Sequence, residues 1–266
     1  MVQPPLVFAV AGLLYDQLLN LPKALPAFQD AVRPFLPGYR QESLQKKHSL
    51  GAAQVVFEVE RSAFFSEDGS EGVVIGDGGL LFMSTSYTTY APFAGTLRKV
   101  LSALEHAVAG LSEGGKLNCT RVGLRYVDAF ATGDDEEPEM YVSEGLRHRP
   151  PTARGHAEQG ISICRFTMGS GTANVRFASG AGTPVVPPDL EPLPVGLRDE
   201  ISQLAVAGRP ISVLDTDRFC DVRMLLDVDK VIGVFDELHR DADQLFRTLI
   251  TQHARKVWGD PTILGA

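Results

Sequence analysis

The sequence predicts an α+β protein, an antiparallel sheet with helices packed on one face. Three observations carry that expectation. Thr120–Phe130, T-R-V-G-L-R-Y-V-D-A-F, alternates with period two, as a strand with two unlike faces does. Gly72–Ile75 and Gly79–Thr85 join through G-D-G-G, a hairpin signal because glycine accepts positive φ. Leu97, Val100, Leu101, Leu104, Val108 and Leu111 recur every three or four residues and form one helical stripe.

In chain order, Leu6 to about Tyr15 reads as a first strand. The apolar run stops at Asp16, lacks a basic start and has no small-residue cleavage site, so it does not read as a secretory leader. Leu18, Leu21, Leu25, Phe28, Val32 and Phe35 then mark an amphipathic helix, expected to start near Pro22 or Lys23 and to end before Pro34 or Pro37. Gln54–Ser62 alternates as a strand, and the hairpin follows. The next helix has Thr96 as its expected N-cap and ends at Gly114-Gly115. Thr120–Phe130 closes the first half, with Val122, Leu124, Tyr126 and Phe130 on one face and Arg121, Gly123 and Arg125 on the other.

Residues 132–160 contain D-D-E-E-P, a short helical signal near Met140–Leu146 and the basic stretch R-H-R-P-P-T-A-R-G-H, and they read as linker and surface loop. Beyond them, Ile161–Met168 and Thr172–Phe177 form a second hairpin. A short helix is expected near Leu197–Val206, and Pro210–Phe219 is a strand. A long amphipathic element runs from about Asp229 to Val257, with an expected break near His239–Asp241. The expected organisation is two α+β units of ferredoxin-like character, residues 1–131 and 161–266, joined by 132–160. One continuous antiparallel sheet shared by both halves is the alternative.

Hydrophobic residues make up 44% of the 266 and charged residues 22%, which suits a globular core and argues against disorder. The net charge of −8 speaks against a protein that coats nucleic acid. It is uneven: residues 1–133 carry 11 basic and 12 acidic side chains, the remainder 14 and 21. No stretch reaches the ~20 apolar residues of a membrane span. Cys119, Cys164 and Cys220 are odd in number and widely spaced, which points to reduced thiols, a cytoplasmic setting, and neither a disulfide framework nor a zinc site.

Four groups of residues could carry chemistry. Asp215 and Asp217 lie two apart on a strand, so they share a face and could hold a divalent cation; solvated strand-end aspartates are the plainer reading. Glu237, His239 and Asp243 resemble an acid/base set, although a histidine flanking the apolar stripe is more often structural. Arg147, Arg149 and Arg154, with His148 and His156, crowd one loop, and Lys46-Lys47-His48 another. Such forks can bind phosphate or an acidic partner, while a solvated loop is the plainer reading. Arg121 and Arg125 could grip a carboxylate or phosphate, but pairing with sheet acids such as Glu58 or Glu60 is favoured. No nucleophile elbow, phosphate loop or cofactor motif is present, and no cofactor is expected.

The opening P-L-V strand, L-F-M-S-T-S-Y with the later Y-A-P-F, G-L-R-Y-V-D-A-F, D-T-D-R-F and the terminal L-H…F-x-x-x-I-T helix resemble a sporadically distributed, uncharacterised bacterial family across nearly the whole chain. The resemblance implies no activity and no site residues. Its patchy distribution implies mobile genes of the defence or toxin-neutralising kind. The expectation is therefore a non-enzymatic accessory protein that binds a protein partner through its sheet or its acidic second half. An RNA- or nucleotide-binding or cleaving protein using the arginines is the alternative.

Overall fold

The computed structural model describes residues 5–50, 53–111, 115–133, 135–148, 159–169, 171–197 and 210–259, with backbone alone at 44–50 and 53–59. The strands are β1 (Leu6–Tyr15), β2 (Gly38–Leu50), β3 (Ala53–Phe65), β4 (Glu71–Gly76), β5 (Gly79–Ser84), β6 (Asn118–Ala131), β7 (Gln159–Met168), β8 (Gly171–Gly180) and β9 (Ile211–Leu225). The helices are α1 (Leu21–Val32), α2 (Tyr90–Ala109), α3 (Val228–Leu249) and α4 (Gln252–Val257). The nine described strands form one antiparallel sheet in the order β2-β3-β4-β5-β1-β6-β9-β8-β7. Both halves therefore share a continuous sheet, joined where β6 pairs with β9 from Asn118↔Leu225 to Ala131↔Ile211.

The strands form where two faces can be buried or half-buried. Ala9, Ala11 and Leu13 of β1, Phe82 of β5, Val122 and Leu124 of β6 and Cys220 of β9 meet Phe28, Leu97, Leu104, Val231 and Phe235 of α1, α2 and α3 in the main core. All three helices thus lie on one face, and removing these apolar stripes from water is the main favourable contribution to that layer. The opposite face is only partly covered. Val185, Leu190 and Val195 of the proline-rich connection pack on Val10, Val127 and Val213 there.

Several expectations need correction. α2 starts at Tyr90 after Thr89, not at Thr96, because Pro92 falls in the first turn, where no intrahelical N–H is needed. α3 runs unbroken through His239–Asp241. The chain turns instead at Ile250–Thr251, where the Thr251 hydroxyl accepts from Ala254 N–H and caps α4. At its other end Asp227 caps α3 by accepting from Lys230 N–H. Lys46-Lys47-His48 lies in β2 rather than in a loop, held in a thirteen-residue ladder by β3. Residues 138–148 are not all surface. Tyr141, Val142 and Leu146 are buried with Phe130 and Trp258, and His148 stacks on Phe177 at 4.8 Å. The helix expected near Leu197–Val206 lies outside the described residues apart from its first position. No helix among the described residues is long and apolar enough to cross a membrane.

Candidate functional site

β6 runs through the middle of the sheet and presents a different polar site on each face. On the face away from the helices, cross-strand register sets up rows of side chains. One row is Arg165 (β7), Asn174 (β8), Asp217 (β9), Arg125 (β6) and Val10 (β1). The next is Thr172, Phe219, Gly123, Gly12 and Leu81. Apart from Thr172, they line a groove of about 560 Å³. Gly12 and Gly123 face each other across β1 and β6 and leave its floor bare. A Cβ on Gly123 would meet Phe219 Cβ at 3.4 Å and the Arg218 carbonyl oxygen at 3.8 Å, both ordinary contacts. Internal crowding therefore does not account for that glycine.

Arg125 is the centre of this face and is not free. Its Nε and Nη2 each donate to Asp215 at 2.7 Å, and Nη1 donates to Asp189 at 2.6 Å. Burial opposes its charge, but the two carboxylates outweigh burial and raise its pKa further above the ordinary value. Burial likewise works against Asp189, and Arg125 nevertheless holds that carboxyl below its usual range. The favoured ion-pair reading stands, with Asp215 and Asp189 as partners in place of Glu58 or Glu60. Arg121 donates to Asp221 at 2.7 Å and lies 4.5 Å over the Phe219 ring. That pair is solvent-exposed and contributes little to stability.

Asp215 and Asp217 do share a face, but Asp215 commits both oxygens to Arg125, so a cation there would have to displace the guanidinium. Burial pushes Asp217 upward, away from the ionised form a metal prefers. No group of three or more metal-ligating side chains occurs among the described residues. Arg147 is exposed at the end of a short 3₁₀ turn. Arg149 and Arg154 lie outside the described residues.

The helix face holds a site that the sequence reading passed over. Tyr126 and Asp128 of β6 and Thr216 of β9 form the floor of a cavity of about 230 Å³, walled by Tyr87 before α2, by His239, Ala242 and Phe246 of α3, and by Pro5 and Leu6. β1 bulges here, with Leu6 opposite Asp128 and Phe8 opposite Val127, which lets the strand bend away from the site. Asp128 and Thr216 are 3% and 1% exposed. The Thr216 hydroxyl has no hydrogen-bond partner among the described residues. Burial, reinforced by Asp215 across the sheet, pushes the Asp128 carboxyl up to about 8, so it is mostly protonated at neutral pH. Tyr126 Oη lies 2.9 Å from His239 Nδ1, and Tyr90 stacks on the His239 ring at 4.0 Å. Burial lowers the His239 pKa, which keeps the imidazole neutral. Glu237 is exposed, so the expected acid/base trio is not assembled.

One signal in the sequence pointed to this site. Val122, Leu124, Tyr126 and Phe130 form an apolar series on one face of a strand, and the position missing from that series is Asp128. Arg218 was also missed. It is 1% exposed and donates to Asp241 and to the carbonyls of Met168, Thr172 and Phe219, tying α3 to the β7–β8 turn.

The fold and its two sites define a helix-backed antiparallel α+β protein with one open sheet face. Comparisons with protein-family models, with curated proteins and with solved structures found no match.

Proposed function

We propose that this is a non-enzymatic binding protein that takes an extended segment of a protein partner onto the outer edge of β7. The exposure of β7 carries the proposal. β7 is ten residues long, pairs only with β8 among the described residues, and carries a single charge, Arg165. Ile161 and Ile163 are 61% and 71% exposed on it, and Phe166 is 37% exposed. An edge strand of this kind leaves a row of backbone N–H and C=O groups unpaired, and soluble proteins protect such edges unless a partner covers them. Covering both isoleucines is worth about 3 kcal/mol of apolar burial. Arg165 favours an acidic residue in the incoming strand.

Other features support this reading. The first half has the strand order β4-β5-β1-β6 with α1 and α2 on one face, which supports a ferredoxin-like unit with β2 and β3 inserted after α1. The second half repeats the sheet-and-helix layering with the order β9-β8-β7. Three free cysteines, two of them buried, support a cytoplasmic setting. The resemblance to a sporadically distributed bacterial family supports a role beside a mobile defence or toxin-neutralising system, where the partner would be encoded next door.

The test is co-expression with the products of the adjacent genes, followed by size-exclusion chromatography. A complex should form with the wild-type chain and be lost with the Ile161→Asp/Ile163→Asp double variant at unchanged melting temperature. A complex that survives the double variant overturns the proposal. Nucleic acid that co-purifies with the chain and disappears on replacing Arg147, Arg149 and Arg154 would establish the RNA-binding alternative instead.

A further inference from the structure

We propose that the cavity over Asp128 and Thr216 binds a small, uncharged, planar ring that presents an N–H donor beside a carbonyl acceptor, the edge shared by pyrimidine bases and lactams. This site is independent of the β7 edge and lies on the opposite face of the sheet.

Three observations carry the assignment. The floor holds two polar side chains, Asp128 and Thr216, that are more than nine-tenths buried. The Thr216 hydroxyl has no hydrogen-bond partner among the described residues, and the Asp128 carboxyl, 3% exposed, lines the same cavity. Native interiors pair nearly all such groups, so an orphan hydroxyl close to a buried carboxyl marks a place where an outside molecule completes the pairing. The aromatic lining suits a flat ring, since Tyr87 and Phe246 stand in the walls and Tyr87 meets Tyr126 of the floor edge-on at 5.7 Å. The size of about 230 Å³ lies below that of sites for drug-sized molecules, which fits a single ring.

The charge pattern narrows the class. Among the described residues the floor has no cationic side chain. Arg247 stands at the wall with its Nε 2.9 Å from Asp243, so the floor does not attract phosphate or carboxylate. A protonated carboxyl, the form that burial favours at Asp128, donates one hydrogen bond and accepts another in one plane. That arrangement matches a cis-amide edge, which accepts at its carbonyl and donates from its N–H. Thr216 lies beside it and supplies a third bond, to a second carbonyl or N–H of the ring. Asp128 would act here as a neutral recognition group, as a carboxylic acid can when its surroundings keep it uncharged.

Isothermal titration of the full chain at pH 6.5 tests the proposal with four probes: uracil, 2-pyridone, 1,3-dimethyluracil and benzylamine. Uracil and 2-pyridone should bind saturably. Dimethyluracil, with its N–H groups blocked, should bind at least tenfold more weakly. Thr216→Val, which keeps the side-chain shape, should weaken uracil about tenfold, and Asp128→Leu should abolish binding, with circular dichroism confirming that both variants are folded. The proposal is overturned if neither ring binds, if dimethyluracil binds as well as uracil, or if the two substitutions leave affinity unchanged. Benzylamine binding more tightly than the neutral rings overturns it in favour of a cation site.

Discussion

Arg125 and Asp128 stand three residues apart on β6, on opposite faces of one sheet, and their surroundings differ in kind. On the open face Arg125 meets Asp215 and Asp189 through four hydrogen bonds, and the charges satisfy one another. On the helix face the buried Thr216 hydroxyl has no hydrogen-bond partner among the described residues, and burial holds the Asp128 carboxyl toward its neutral form, within a strand's width of that ion pair. A buried charge that is paired inside the fold has its interaction energy committed to architecture. A buried polar group left unpaired costs free energy that a ligand can recover. The arginine face, which looked like the site from its residue types, is therefore mainly structural at its centre. The aspartate on the apolar face marks the cavity.

This contrast can be broken by experiment. The largest effect is expected for Arg125→Met, which strands two carboxylates, one of them deeply buried. It should cost about 3–5 kcal/mol, read as a drop in the denaturation midpoint. If Arg125→Met is neutral, the open-face pair is not structural and the comparison fails.

The second effect has the opposite sign. Asp128 titrates near its ordinary value of 3.8 in the unfolded chain and at about 8 in the folded one. Between those values the native state holds the extra proton, so the contribution of this group to stability is full below about pH 4. It is lost as pH rises toward 8 and is flat above. Asp128→Asn should therefore stabilise the protein at pH 8 by a few kcal/mol and remove that part of the slope, measured by urea denaturation from pH 5 to pH 9. An Asn variant with the wild-type pH profile would show that Asp128 stays ionised and paired in solution.

Thr216→Val should stabilise by about 1 kcal/mol, because it removes an unsatisfied hydroxyl while keeping the side-chain shape. A destabilised Thr216→Val would mean that the hydroxyl is bonded in solution. The smallest effect is expected at the sheet edge. Ile161→Asp and Ile163→Asp should leave stability within about 0.5 kcal/mol of wild type while increasing solubility, since both side chains already face solvent. A large loss on either change would show that β7 is covered by other parts of the chain.

Much of the layout was legible in the residues. The period-two run of β6, the glycine turn between β4 and β5, and the helical stripes of α1, α2 and α3 all follow from local pattern, because each must bury one face. β2 was not legible. G-Y-R-Q-E-S-L-Q-K-K-H-S-L has no apolar alternation, and its strand state comes from a full ladder with β3 rather than from its own propensity. The extent of α3 was misjudged for a related reason. Asp241 looks like a cap in the sequence but receives Arg218, whose buried guanidinium has to be met from the helix.

The sequence by itself determined the α+β class, the face pattern of β6 and the oddity of an aspartate among its apolar positions, because spacing along one chain is enough to set which side chains share a face. Only the tertiary structure decided that Arg125 is ion-paired while Asp128 is buried and held toward its neutral form, and that the two halves share one sheet. Those outcomes depend on which distant strands become neighbours. Asp215 and Thr216 are adjacent on β9, and strand alternation sends the acid to Arg125 and the hydroxyl into the cavity beside Asp128.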